Sequence, residues 1–456
     1  MSEQAGYRHP GDIEIEHLKF ISSTGRVIEL AGIVTEVNIF QNLFDHHMRC
    51  NIVFSDSTGL LNSLKGWTAG KYKITGGFTG SELLLISYKS KDDDLKFKKH
   101  LFALHSLNDR SRPSEDVEVF SITGISIEAY QTYTNSISKA YGGTKGNTIS
   151  KMIQSLCKEY FQSERVNQLY EIVSKGTNIT VSKSYTYDDT TGLHKFIIPD
   201  YTVDDAINMF CKEADNDTHI PYYLFYENSA GYQFKDLSSL VRQEVKETFT
   251  YKTTNNEEAD AGEEYSDRTK IIDYSIDRQT DILKNAVDGL FSSTMTTIDL
   301  LQKTKKETVF NYDKYSDKYI KLQNDNYRIA GSFINGDGVG YLSSTRFGHD
   351  ASPFFSAEKP ITKRIDSFYS AKESYFRHVC NTKMEVTVPG DSEIQVGDCV
   401  YLEIPVATNL EDAATDQDKY MSGKYIITEL RQQMGSKTGS TFITTFKCVK
   451  DTGIKI

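Results

Sequence analysis

The chain has 456 residues, 38% hydrophobic and 25% charged, a composition that suits a globular protein of about two to four domains. Its net charge of -11 argues against a general nucleic-acid clamp, since phosphate binding needs clustered Lys and Arg, and no apolar run approaches membrane-spanning length. The six cysteines (Cys50, Cys157, Cys211, Cys380, Cys399, Cys448) are scattered with no CxxC pair, which reads as reduced, mostly buried thiols.

The start, MSEQAGYRHPGDIEIEH, lacks a basic segment followed by an apolar core, so no Sec-type signal is expected, and the chain is expected to be made in the cytoplasm. From there to about Ala129 the sequence reads as short strands separated by turns, among them His46 to Phe54, Leu83 to Lys89 and Val117 to Glu128. A small barrel is the natural closure for them. The 12% aromatic content, with 28 Tyr, 24 Phe and only Trp67 as tryptophan, fits long antiparallel strands. Lys91 to His100 mixes both charge signs and is expected at a solvated hairpin tip. Ile149, Met152, Ile153, Leu156, Cys157 and Tyr160 recur on one face of a helix that begins after Gly146 and Asn147.

The segment Phe196 to Leu240 is the most informative. Pro199 is expected to end an apolar strand. Thr202 is placed to cap a helix with Asp205 three residues on, and Val203, Ala206, Ile207, Phe210 and Ala214 give that helix one buried face. Tyr222 to Tyr226, a turn from Glu227 to Gly231, and Tyr232 to Phe234 then form a hairpin. Asn255 to Asp267 reads as an acidic linker. Asn324 to Ser370 shows no clear period. Strands return at Met384, with turns at Pro389-Gly390 and at Val396-Gly397-Asp398, and Ser422 to Met434 is expected to pair with Phe442 to Asp451.

Candidate chemistry is sparse. Asp45-His46-His47-Met48-Arg49-Cys50 is the one stretch that looks like metal ligands; read as a strand it would send His46 and His47 to opposite faces, so no shared metal is expected. Asp204 and Asp205 fall in the first turn of a helix, where negative charge suits the dipole. Gly142, Gly143 and Gly146 around Lys145 lack the order of a phosphate loop, and no GxSxG or HExxH occurs. Asn178-Ile179-Thr180 matches a glycosylation sequon, which a chain without a signal would not use. No catalytic residue, metal or cofactor is expected.

Several strings resemble the baseplate hub proteins of contractile-tail phages, related to the hub part of type VI secretion spike proteins. They are Ile52 to Leu64; Ser138, Lys139, Ala140 and Tyr141 with the helix that follows; Pro199, Ala206 and Ile207 leading to Phe225, Tyr226, Glu227, Gly231, Tyr232 and Phe234; Asn285 and Gly289 after Ile272; and Gly397, Asp398, Gly423, Lys424 and Tyr425 near the end. The resemblance implies an α+β, mainly β chain with two tail-tube-like antiparallel β-barrels and inserted α+β domains. The expected parts are a first barrel at 1–129, an α+β domain at 130–250, a linker at 251–269, a discontinuous second barrel at 270–301 and 382–450, an inserted domain at 302–381 and a tail at 451–456. It further implies a structural, non-catalytic homotrimer in the virion tail, assembled in the host bacterial cytoplasm, that joins a sixfold tail tube to a threefold central spike. The implied neighbours are the central spike protein, tail tube or tube-initiator proteins, the tape-measure protein and baseplate wedge proteins. DNA would pass through the channel without specific binding, and no membrane is involved. An injection-system hub of the pyocin or type VI sort and, less so, a tail-tip peptidoglycan hydrolase are the alternatives.

Overall fold

The computed structural model describes residues 11–22, 27–30, 32–57, 67–69, 72–74, 80–90, 95–142, 146–216, 220–251, 266–278, 281–299, 303–322, 343–349, 365–406, 417–435 and 442–451. The glycine loop around Lys145, most of the acidic linker, the tip at Lys91 and most of 324–364 therefore lie outside the described residues.

The first part holds β1 (Ile13–Ile21), β2 (Val27–Glu29), β3 (Val34–Asn42), β4 (Arg49–Asp56), the small hairpin β5 (Trp67–Ala69) and β6 (Tyr72–Ile74), β7 (Leu83–Ser90), β8 (Lys98–Ser114) and β9 (Val117–Ser126). Then come α1 (Ala129–Thr134), β10 (Ser136–Tyr141), α2 (Ile149–Tyr160), α3 (Glu164–Thr177), β11 (Ser184–Tyr187), β12 (Phe196–Thr202), α4 (Val203–Glu213), β13 (Tyr223–Asn228), β14 (Gly231–Asp236), α5 (Leu237–Arg242) and β15 (Val245–Thr250). The remainder comprises β16 (Asp273–Arg278), α6 (Ile282–Val287), β17 (Ser292–Asp299), β18 (Thr304–Asn311), β19 (Ser343–His349), α7 (Ile365–Val379), β20 (Thr382–Pro389), β21 (Cys399–Glu403), β22 (Gly423–Gly435) and β23 (Phe442–Lys450). The protein is mainly β, with large antiparallel ladders. Among the described residues no helix is long and apolar enough to cross a membrane.

One 13-stranded sheet runs through both ends of the chain, in the order β16-β20-β23-β22-β3-β4-β9-β8-β7-β1-β2, with β15 and β21 branching from β22. Its seam is the antiparallel β3/β22 ladder, where Glu36 to Asn42 pairs with Gly435 back to Glu429. Two separate barrels were expected, but among the described residues no ladder closes either half on itself. Two local backbone contacts lie outside these ladders. Leu30 donates its N–H to Leu18 and accepts from Val34, turning β2 toward β3, and Thr250 at the end of β15 bridges Lys270 just before β16.

Two elements lie elsewhere than their place in the sequence suggests. β17 does not join the C-terminal sheet but forms a three-stranded sheet with β18 and β19, and β15 pairs in parallel with β21. Strand-like residues such as the threonines of β17 and the Val245 and Phe249 of β15 do not name a partner.

Residues on the inner face of the first strands (Leu18, Phe20, Ile39, Ile52, Phe102, Leu104) form one core. The opposite face of β7 and β8 is covered by Val166 and Val173 of α3, so every residue of β7 is buried. A third core packs α2 and α4 against β13 and β14, and a fourth fills the C-terminal half around Tyr375, Val386, Tyr425 and Phe446.

Candidate functional site

The β13/β14 hairpin sits where the cores meet. Side chains alternate across a strand, so Tyr223 and Phe225 enter the α2/α4 core while Leu224 and Tyr226 enter the C-terminal one. Aromatic rings fill this position: Phe161 lies 4.8 Å from Tyr232, Tyr185 stacks on Tyr232 at 5.5 Å, and Tyr223 stacks on Phe234 at 4.9 Å. Gly231 takes φ +131° with the Ser184 backbone packed where a Cβ would lie, which lets β11 pair in parallel with β14. At the hairpin tip Gln41 of β3 donates to the Ser229 hydroxyl at 2.8 Å and accepts from the Val396 N–H at 3.3 Å, joining the hairpin to both halves of the sheet.

Beside the tip lies a buried charged network. Lys183 sits between two buried carboxylates, 2.6 Å from Glu128 Oε2 and 2.6 Å from Glu227 Oε1. Glu227 also accepts from the Met48 N–H at 2.8 Å, and Glu128 accepts from the Tyr170 hydroxyl at 2.8 Å. The Tyr232 hydroxyl lies 2.9 Å from His47 Nδ1 and 3.5 Å from Glu128. On its other side His47 Nε2 is 3.2 Å from Thr132 and 3.3 Å from Asp204, whose same oxygen is 3.1 Å from His46 Nδ1. The network thus ties the β3–β4 turn, α1, α3, the start of α4 and the hairpin together. Burial would drive the Lys183 ammonium down, but the two glutamates prevail and hold it above its ordinary range. Burial likewise opposes ionisation of Glu227 and Asp204. Lys183 keeps Glu227 below its usual value, and hydrogen bonds from His46 and His47 hold Asp204 well below the carboxylate range.

This geometry corrects the reading of the His46-His47 pair. Residues 43–47 form a turn rather than a strand, opened by Asn42, whose side chain accepts the Phe44 N–H at 2.8 Å. Both imidazoles therefore face one carboxylate, with ring centres 6.4 Å apart. Among the described residues no group of three or more His, Cys, Asp or Glu is arranged to hold a metal. The Asp204 carboxylate is in the first turn of α4 as expected, and α4 is capped at Thr202, whose hydroxyl accepts the Asp205 N–H at 3.1 Å.

The other singled-out residues serve local closure and do not converge on one pocket. Ser138, Lys139, Ala140 and Tyr141 lie in β10, where Lys139 pairs with Glu159 at 2.6 Å and Tyr141 packs on Phe210. Pro199 does not end its strand. It sits in a bulge with Asp200 at φ +53°, and β12 continues to Thr202, since a bulge tolerates a residue without an N–H. Ala206 and Ile207 are buried in α4. Asn285 donates to Asn381 at 2.5 Å, and Gly289, at φ +83°, follows the end of α6. Gly397 has φ +89° and would place a Cβ 2.5 Å from the Tyr226 hydroxyl. Asp398 accepts from Lys246 at 2.7 Å. Gly423 opens β22, Lys424 donates to the carbonyls of Val241 and Gln243 at the C-terminal end of α5, and Lys450 lies 5.0 Å over the Tyr425 ring.

Sequence reasoning missed Lys183, Glu128, Tyr170 and Lys372. Lys372 is buried on α7 and donates to the Lys212 carbonyl at 2.5 Å, satisfying the C-terminal end of α4, while burial pushes its ammonium down. Its aromatic neighbours, Phe368 and Tyr369, are local in sequence, but its carbonyl partner is not.

No family model and no curated protein matches the chain. Among solved structures, the 43 kDa tail protein of prophage MuSo2 from Shewanella oneidensis aligns over 97% of this chain and 100% of its own, with a TM-score of 0.50 and 10% identity. A tail protein from Neisseria meningitidis MC58 aligns over 96% of this chain and 97% of its own, with a TM-score of 0.49 and 11% identity. A component of the type VI secretion system from Escherichia coli aligns over 97% of this chain and 80% of its own, with a TM-score of 0.40 and 9% identity. The chain shares its fold with the MuSo2 tail protein.

Proposed function

We propose that this protein is a structural hub of a contractile phage tail baseplate. It would act as a homotrimer that joins a sixfold tail tube or its initiator to a threefold central spike and lines the path of DNA. The observation that carries this reading is the β3/β22 seam, which joins two β units of one chain edge to edge through main-chain hydrogen bonds. Three copies of such a chain would present six β units in a ring, a direct way to match threefold to sixfold symmetry. The sheet ends, β2 and β16, are each paired on one side among the described strands and supply edges for a neighbouring copy. The fold shared with a phage tail protein supports the same reading.

The role is mechanical rather than catalytic. A part that transmits sheath contraction to the spike needs its units locked together, and the hairpin with its Glu128–Lys183–Glu227 network does this at the junction. The tape-measure protein and baseplate wedge proteins would be the further neighbours, and the protein would reside in the virion tail. Light scattering on the purified protein tests the assembly. Three times the chain mass is expected, and a species that stays monomeric at micromolar concentration with its spike partner present would overturn it. Clear lysis in a cell-wall turbidity assay would overturn the non-catalytic role.

A further inference from the structure

The sheet seam has an outer face whose composition is set by register. Glu385, Lys447, Glu429 and Asn42 form one transverse row across β20, β23, β22 and β3. Thr445, Arg431, Phe40 and Arg49 form the next, across β23, β22, β3 and β4. Three cations therefore fall within neighbouring strands about 4.8 Å apart, a spacing at which they could follow a phosphate backbone. Each is half-exposed, yet each is paired. Arg49 lies 2.8 Å from Asp45, Arg431 lies 3.5 Å from Glu36 with a second bond to Asn38 at 2.8 Å, and Lys447 lies 3.1 Å from Glu429. The hydrogen bond to Glu429, with Glu385 and Asp277 nearby, holds the Lys447 ammonium above its ordinary value. Arg49 with Asp45, Lys447 with Glu429, and Arg431 line a cleft of about 450 Å³, whose wall also includes Gln41 and Leu430.

Exposed ion pairs of this kind contribute little to stability, so their main physical consequence is local charge cancellation. We propose that Asp45, Glu36 and Glu429 mask Arg49, Arg431 and Lys447, so that a polyanion can lie along this face without being held by it. The inference rests on the hub reading only for the identity of that polyanion, DNA in transit.

The test is fluorescence anisotropy with short labelled duplex DNA, comparing the full-length protein with the triple variant Asp45→Asn, Glu36→Gln, Glu429→Gln. The parent is expected to bind at least about tenfold more weakly than the variant. The variant's affinity should fall about 40-fold between 50 and 200 mM salt, the dependence for about three neutralised phosphates. Should the triple variant not fold, Glu429→Gln alone removes the hydrogen-bonded partner of Lys447, leaving only Glu385 and Asp277 nearby, and should strengthen binding in the same direction by less than the triple variant; no gain overturns the proposal. A parent that already binds with the slope of three, or an unmasked variant that binds no better than the parent, would overturn the proposal. Light scattering on the same samples keeps the two readings apart. A trimer without any gain in binding refutes the masking alone, whereas a monomer that gains binding refutes the ring alone.

Discussion

Replacing Lys183 by Met removes the single cation between Glu128 and Glu227, whose side chains are each 1% exposed. Deleting one partner of a buried pair costs about 3–5 kcal/mol because the remaining charge is left without compensation, and here two carboxylates lose the same partner. The deficit at pH 7 is therefore expected at or above about 3 kcal/mol, measured from urea unfolding midpoints at constant m. Its pH dependence separates charge from packing. In the parent, Glu227 is held below its ordinary 4.5, so its contribution is present above that value and is lost as pH falls through the lower, folded one. In the variant, the main opposition to burial is gone and the Glu227 carboxyl rises, so protonation relieves the strain and the gap between the proteins narrows toward acid pH. Adding Glu128→Gln and Glu227→Gln to Lys183→Met should restore a large part of the loss. A deficit below about 1 kcal/mol at pH 7, or one of constant size from pH 7 to 4, would refute the role assigned to the network.

Gly397→Ala should cost about 1–3 kcal/mol, because φ is +89° and the added carbon meets the Tyr226 hydroxyl, and Tyr226→Phe should recover part of it in a thermal melt. Burial pushes His100 from 6.5 down to about 4, so the fold favours its neutral form; stability is full above 6.5 and falls as pH drops toward 4, by about 3 kcal/mol. His100→Phe should flatten the urea midpoint between pH 7 and 4, and an unchanged slope would contradict this.

Local features of the fold were legible in the sequence, and long-range ones were not. The Thr202 cap and the apolar face of α4 depend on residues within one or two turns, and the hairpin depends on a short turn between aromatic runs, so both emerge from pattern alone. The β3/β22 seam joins segments almost 400 residues apart, and nothing in Glu36 to Asn42 names Glu429 to Gly435 as its partner. Lys183 stands in the unremarkable string Val-Ser-Lys-Ser, and its two carboxylates come from before α1 and from β13. The turn that brings His46 and His47 onto Asp204 did leave a trace. Asn42 opens it with an Asx-type bond, but the turn lacks Gly and Pro, and the strand-like residues that follow hid it.

The two β units of one chain, spliced at β3/β22, are proposed to build a sixfold-like ring from three copies. Electron microscopy of the purified protein, averaged without imposed symmetry, tests it most directly. A ring of three chains is expected, in which six β units repeat at about a sixth of a turn, with the face bearing Arg431, Phe40 and Arg49 toward the opening. Isolated monomers, or a ring whose two units per chain do not superpose, would contradict it.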